Sequence, residues 1–169
     1  EPATTYYYRV GSPADAIWSP VFSFRTFDPS AASINYAVIA DMGYGENSDH
    51  TSERLHDLVM SGEIDMVIHN GDIGYADGYM AHWDTFLNKV QPIASRVPYM
   101  VTPGNHEFWY NFAAYKARFY MPSNEDNGKE GDGSGDNMYY SWDYGNVHFA
   151  AMNSETAIDE PDFHKDQLK

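Results

Sequence analysis

Residues 64–79 read IDMVIHNGDIGYADGY. A short apolar run of this kind, bounded by turn residues, is the pattern of a β-strand buried on both faces of a parallel sheet. Just past it, Asp72 and Tyr75 stand three residues apart, with Gly71 and Gly74 on either side of the aspartate. Glycine frees the backbone to turn sharply there and lets a ligand come close. A carboxylate and a phenol side by side at a strand end need a reason.

The same rhythm occurs twice more. INYAVIAD (34–41) is an apolar run ending at Asp41, and VPYMVTPGNHE (97–107) is a third strand ending at Asn105. Leu55, Leu58 and Val59 share one face of a predicted helix between the first two strands, with Asp49 or Thr51 available as its cap. Trp83, Phe86, Leu87 and Val90 fall at i, i+3, i+4, i+7 of a second helix, expected to end near Pro92. Strand, helix, strand, helix, strand predicts an α/β fold with a parallel sheet and helices on both sides.

Working outward, TTYYYRV (4–10) and VFSFRTF (21–27) are aromatic, β-branched strands separated by the turn-rich GSPADAIWSP. Two such strands are marginal alone. They read as the last strands of a β-sandwich, residues 1–29, with Asp28-Pro29-Ser30 linking to a second domain over 30–169. A short helix is expected around Phe112 to Phe119. Residues 121–137 form a glycine- and acid-rich loop, and 138–154 an antiparallel pair turning near Asp143 to Asn146. Asp132 and Asp136 superficially resemble a calcium loop, but Asn137 replaces the turn glycine and the segment runs into strand, so a solvated loop is the better reading. The opening Glu1-Pro2-Ala3 and the stop at Lys169, amid a starting helical pattern, read as the cut ends of a fragment.

Composition narrows the function. A formal charge of -15, with ten scattered Lys and Arg, argues against a nucleic-acid surface and fits solubility. No apolar stretch approaches the roughly 20 residues that span a bilayer. The chain has no cysteine, which excludes a disulfide framework and a thiolate metal site.

The informative feature is where the strands stop. In open parallel sheets ligands bind beyond the carboxyl ends of the strands. Asp41, Asp72 and Asn105 follow one another at separations of 31 (from 41 to 72) and 33 (from 72 to 105) residues, each suited to one strand-helix-strand crossover. Taken singly, either Asp reads as a cap or turn former, Asn105 as a left-handed turn residue, His106 as a hydrogen-bonded histidine and Tyr75 as a packed ring. Together, two carboxylates and an amide oxygen are hard ligands for divalent or trivalent cations, and a carboxylate shared by two metals makes a site for hydrolysing phosphate esters.

With Asp41, then Gly71-Asp72, then Gly104-Asn105-His106-Glu107, the chain resembles the metallophosphoesterases, also called calcineurin-like phosphoesterases. Two departures from most of that family are Met42-Gly43 where Asp-x-His is usual, and the tyrosine in Gly71-Asp72-Ile73-Gly74-Tyr75. Losing the histidine and gaining the tyrosine resembles the purple acid phosphatases, and the likeness runs through YADGY, PGNHE and YYSWDYGNVHF. The resemblance implies the metallophosphoesterase α+β sandwich, incomplete here, preceded by the end of a fibronectin-III-like domain.

The resemblance further implies an acid phosphatase that hydrolyses small phosphate monoesters with a metal-bound hydroxide. Asp41 and Tyr75 would bind iron(III), Asp72 would bridge to a divalent iron, zinc or manganese, and Asn105 would bind that second ion. His106 would hold the phosphate or help the leaving group, and Glu107 would support. A ferric ion makes Tyr75 intelligible, since a free phenol has a pKa near 10 and only a strong Lewis acid deprotonates it in acid. Ala40 departs from the usual glycine before the first aspartate, tolerable unless its φ is positive. The compartment implied is secreted or vacuolar.

Three histidine ligands of the family, in Val-x-x-His and Gly-His-x-His, do not occur in this sequence. His50, His56, His69, His82 and His164 do not fit those blocks, and His148 reads as a core or sheet residue. Residues 1–169 alone are therefore expected to bind metal weakly and hydrolyse little. The alternatives are a related phosphodiesterase or nucleotidase, or a degenerate phosphatase-like protein without catalysis.

Overall fold

The structure is a computed structural model that describes residues 1–122 and 133–156. At the amino-terminal end, β1 (Thr5–Tyr8) pairs antiparallel with β4 (Phe22–Arg25), and β2 (Gly11–Ser12) with β3 (Ile17–Trp18) inside the stretch read as turn. Cross-strand rings fix the register: Tyr6 stacks on Phe24 at 5.6 Å, and Tyr8 tilts against Phe22 at 5.7 Å. The ribbon is fastened to the rest of the protein where the Tyr8 hydroxyl donates to the Ser95 carbonyl at 2.9 Å.

The second unit is built on β5 (Tyr36–Ile39), β6 (Met66–Asn70) and β7 (Tyr99–Thr102), hydrogen-bonded in parallel in the order β5-β6-β7. Helix α1 (Asp49–Met60) connects the first two and α2 (Met80–Ala94) the second two. Both helices lie on the same face of the sheet, where Leu55, Val59 and Ile93 pack with Val67. This corrects the expectation of helices on both sides. Crossovers are right-handed almost without exception, so two that step in one direction put both helices on one face.

The opposite face meets an antiparallel hairpin of β8 (Tyr140–Tyr144) and β9 (Val147–Ala151), which follows a short helix α3 (Ala113–Arg118). Phe149 of the hairpin packs edge-on against Tyr36 at 5.6 Å and stacks on Trp142 at 4.9 Å. Strand β5 lies at the edge of its sheet, and Tyr36 and Val38 stay exposed, so it is not buried on both faces as its apolar run predicts.

The start of α1 differs from the expected one. Neither Asp49 nor Thr51 caps α1. Ser48 holds that place, with its hydroxyl donating to the Gly43 and Gly45 carbonyls, while Asp49 pairs with Lys89 at 2.7 Å. Helix α2 ends at Ala94, near Pro92 as expected; a proline in the last turn removes one bond while Ser95 and Arg96 continue the ladder. Asp136 of the acidic loop pairs with Lys116 at 2.9 Å, and Asp132 lies outside the described residues.

Tyr140 solves a problem of the sheet edge. Strand β7 has no further strand beside it among the described residues, yet the Val101 N–H donates to the Tyr140 hydroxyl at 3.1 Å and that hydroxyl donates to the Val101 carbonyl at 2.7 Å. The Tyr115 hydroxyl lies 3.3 Å from the same carbonyl but donates its one proton more closely to the Asn137 carbonyl at 2.8 Å, so Tyr140→Phe would orphan the buried N–H and leave the carbonyl a weaker partner. That loss is expected to cost about 1–3 kcal/mol in urea unfolding, with little change in far-ultraviolet circular dichroism.

His69 is fully buried in β6, with Nδ1 3.0 Å from the Tyr99 hydroxyl and Nε2 without a partner among the described residues. Burial lowers its pKa to about 4, against an opposing pull from the Asp41 charge. Between pH 6.5 and about 4 the unfolded chain therefore binds more protons than the folded one, and stability falls as pH falls through that window. The loss is expected to reach about 3 kcal/mol at the acid end. In His69→Gln the slope of unfolding free energy between pH 7 and 4.5 should flatten; equal slopes in both proteins would exonerate His69.

Candidate metal centre

All three parallel strands run out on one rim of the sheet, and the turns beyond two of them are left-handed at residues that are not glycine. Asp41 has φ of 54°, Asp72 of 49° and Tyr75 of 48°. Aspartate tolerates this region and a tyrosine seldom does. Ala40 keeps a negative φ, so the strain falls on Asp41 and the methyl group is accommodated.

Backbone bonds between neighbouring turns hold these angles. Asp41 N donates to the Gly71 carbonyl at 3.4 Å, Gly43 N to the Ile73 carbonyl at 2.9 Å, and Gly71 N to the Thr102 carbonyl at 3.1 Å. Glu107, only 2% exposed, adds a staple: its carboxylate accepts from Ile73 N at 2.9 Å and Gly104 N at 2.8 Å. Gly104 must be glycine, because a Cβ there would collide with the backbone and carboxylate of Asp72.

The result is a convergence of oxygens. The Tyr75 hydroxyl donates to Asp41 Oδ1 at 2.8 Å and lies 3.4 Å from Asp72 Oδ2, while Asp72 Oδ1 accepts from the His106 backbone N–H at 3.2 Å. Asp41, Asp72 and Asn105 line one polar cleft of about 410 Å³, together with Asn70, Thr102 and Glu155. Its described lining includes three carboxylates and neither lysine nor arginine. Burial, the bond to Asp41 and the two carboxylate charges push the Tyr75 phenol well above its ordinary pKa. Like charges placed so close repel, and a cation is the group that relieves them.

Among the described residues no group of three or more His, Cys, Asp and Glu side chains is arranged to hold a metal ion. The grouping that exists instead joins a phenol and an amide to two carboxylates. This donor set is oxygen only, and it fits hard cations.

His106 stands beside it, its ring 4.1 Å from that of Tyr75 and its Nδ1 2.7 Å from Asp77 Oδ1. Burial lowers the imidazole's pKa, but Asp77, Asp72 and Glu107 outweigh it and hold the group above its ordinary value. Asp77 is the residue that sequence reasoning passed over, since an aspartate before glycine reads as a turn former. The other histidines are elsewhere: His50 and His56 on α1, His82 stacked on Tyr44 at 4.0 Å, and His69 within β6. His148 is a sheet residue but not a core one, exposed and bonded to Asp143 at 2.7 Å. His164 lies outside the described residues.

The calcineurin-like phosphoesterase family matches residues 34–167. Probable purple acid phosphatase 20 of Arabidopsis thaliana is 40% identical over 163 residues, which cover 92% of this chain and 35% of that protein. Acid phosphatase type 7 of Homo sapiens is 38% identical over 157 residues, 91% of this chain and 33% of that one. The solved structure of purple acid phosphatase PPD1 from yellow lupin (Lupinus luteus) seeds aligns with a TM-score of 0.75 at 25% identity, over 99% of this chain and 34% of that one. The chain thus spans about a third of the length of these relatives.

The Glu107 staple can be tested without any metal. Glu107→Ala strands buried backbone donors on two turns and is expected to cost about 2–5 kcal/mol in denaturant unfolding. Glu107→Gln keeps one acceptor oxygen and should lose less. Equal stability of all three proteins would show that the turns hold themselves.

Proposed function

The chain belongs to the calcineurin-like phosphoesterase family, among the purple acid phosphatases, and on that footing we propose that it carries the acidic part of a two-metal centre for hydrolysing phosphate monoesters. The observation that supports this most is the Tyr75 hydroxyl held between Asp41 and Asp72. Asp41 and Tyr75 would hold a ferric ion, Asp72 would be shared with a divalent iron, zinc or manganese, and Asn105 would serve the latter through its amide oxygen. Held by these residues, two such cations would supply neutralisation of the phosphate charge and activation of a water.

The chain's own residues do the rest. Asp72 is braced by the His106 backbone N–H, so its two oxygens keep a fixed direction. With Nδ1 engaged by Asp77, His106 has Nε2 left for the substrate. Protonated there, it donates a hydrogen bond to a phosphoryl oxygen and passes its proton to the departing alcohol oxygen. The surrounding carboxylates favour that protonated form, which suits work in acid.

Histidine donors of the Val-x-x-His and Gly-His-x-His kind would have to come from beyond residues 1–169, and these residues alone would bind metal weakly. Residues 1–29 are read as the closing strands of a fibronectin-like domain, consistent with the exposed apolar side chains of Tyr7, Val10, Ile17 and Val21. A secreted or vacuolar compartment belongs to the same reading.

The test is the visible spectrum of the full-length protein loaded with Fe(III) and Zn(II). A phenolate on ferric iron absorbs visible light, so the wild type should be coloured and Tyr75→Phe colourless. His106→Ala should keep colour and metal content while kcat for alkyl phosphates falls roughly 10²–10⁴-fold. A colourless, metal-loaded wild type that still hydrolyses esters would replace this reading with a magnesium- or manganese-dependent relative.

A further inference from the structure

The stretch after His106 carries large rings that the chemistry above leaves unused. Phe108, Trp109 and Tyr110 are 61%, 50% and 67% exposed. Trp109 and Tyr110 lie together against Gly78: a Cβ built on that glycine would stand 3.3 Å from Trp109 Cε3 and 3.5 Å from Tyr110 Cε2. Gly78 follows Asp77, the residue that holds His106 Nδ1. The two rings therefore border the imidazole's own anchor.

The backbone presents them under strain. Tyr110, Asn111 and Phe112 have φ of 56°, 56° and 59°, three successive non-glycine residues in the left-handed region. This region is unfavourable for a residue with a side chain, and such strain gathers where a site needs a particular presentation. Phe112 anchors the turn by burial in the core and by an edge-on contact with Phe108 at 5.5 Å. Trp109 and Tyr110 are left facing solvent beside the Asp77–Gly78 turn that holds His106, and a contiguous exposed aromatic patch marks a contact surface.

We propose that Trp109 and Tyr110 form a leaving-group subsite that stacks the ring of an aryl phosphate monoester bound in the cleft. This rests on the phosphatase reading above. The leaving group of such an ester departs on the side of His106, the group that would protonate its oxygen, and the rings lie on that side. A planar aromatic leaving group gains stacking there that an alkyl group of equal charge does not. The acidic protein, at -15, disfavours an anionic lipid surface as the occupant.

Phosphonates test this without turnover, because their P–C bond is not hydrolysed. Benzylphosphonate copies the shape of an aryl phosphate and ethylphosphonate that of an alkyl phosphate. Calorimetric titration of the full-length, metal-loaded protein should give benzylphosphonate a roughly five- to tenfold tighter Kd. Trp109→Ala should bring the ratio close to one while ethylphosphonate affinity stays unchanged, and Trp109→Phe should keep most of the preference. Tyr110→Gly separates stacking from folding: glycine relieves the left-handed strain, so the melting temperature should rise while the preference falls. Equal affinities in the wild type, or a ratio that both Trp109→Ala and Tyr110→Gly leave intact, would overturn the subsite alone. Binding of neither phosphonate would overturn the phosphatase reading and the subsite with it.

Discussion

Glu107 is a carboxylate with almost no contact with water, and its hydrogen bonds run to backbone N–H groups of two different turns. Burial alone would favour its protonated form, while the N–H donors favour the charged one. Those bonds join the turn after β6 to the turn after β7, and thereby join Asp72 and Tyr75 to Asn105 and His106. The left-handed angles at Asp72 and Tyr75 survive because this lacing leaves the chain no easier path. Gly71, itself at φ of 70°, and Gly104 lie so close that no side chain fits between the turns.

The electrostatics follow from that rigidity. Carboxylates are pressed into one cleft without a basic side chain among its described lining, and the proton of the Tyr75 hydroxyl lies between Asp41 and Asp72. A trivalent ion in place of that proton would reverse the local order of pKa values, turning a phenol raised by its neighbours into an ionised ligand. The chain's excess of negative charge then ceases to oppose an anionic substrate, because cations held at the strand ends meet it first.

The sheet supplies the rim, and its two faces are covered differently. Helices α1 and α2 lie on one face, and the hairpin β8–β9 meets the other through Phe149 and Tyr140. Tyr140 gives the edge of β7 the donor and acceptor that a neighbouring strand would give. Strand β7, whose following turn carries Asn105, is thus held in register from both sides.

The sequence by itself determined the three strand ends and the chemistry of their last residues. Apolar runs, helical spacing and glycine turns are encoded within a few residues of one another by local sterics, which is why β5, β6, β7, both crossover helices and the β8–β9 hairpin were legible. So was the gathering of Asp41, Asp72 and Asn105 at one cleft, since parallel strands with single crossovers must deliver their ends to one rim, whereas Tyr75 was singled out by the family resemblance. Only the tertiary structure decided what those residues touch. Asp77 meets His106 across 29 residues and Glu107 meets Ile73 across 34, and no local pattern marks either pair. The one-sided helices, the exposed edge of β5 and the left-handed run at Tyr110 belong to the same class. Each is set by the packing of elements far apart in the chain, where a contact depends on how two turns face one another rather than on the residues within either.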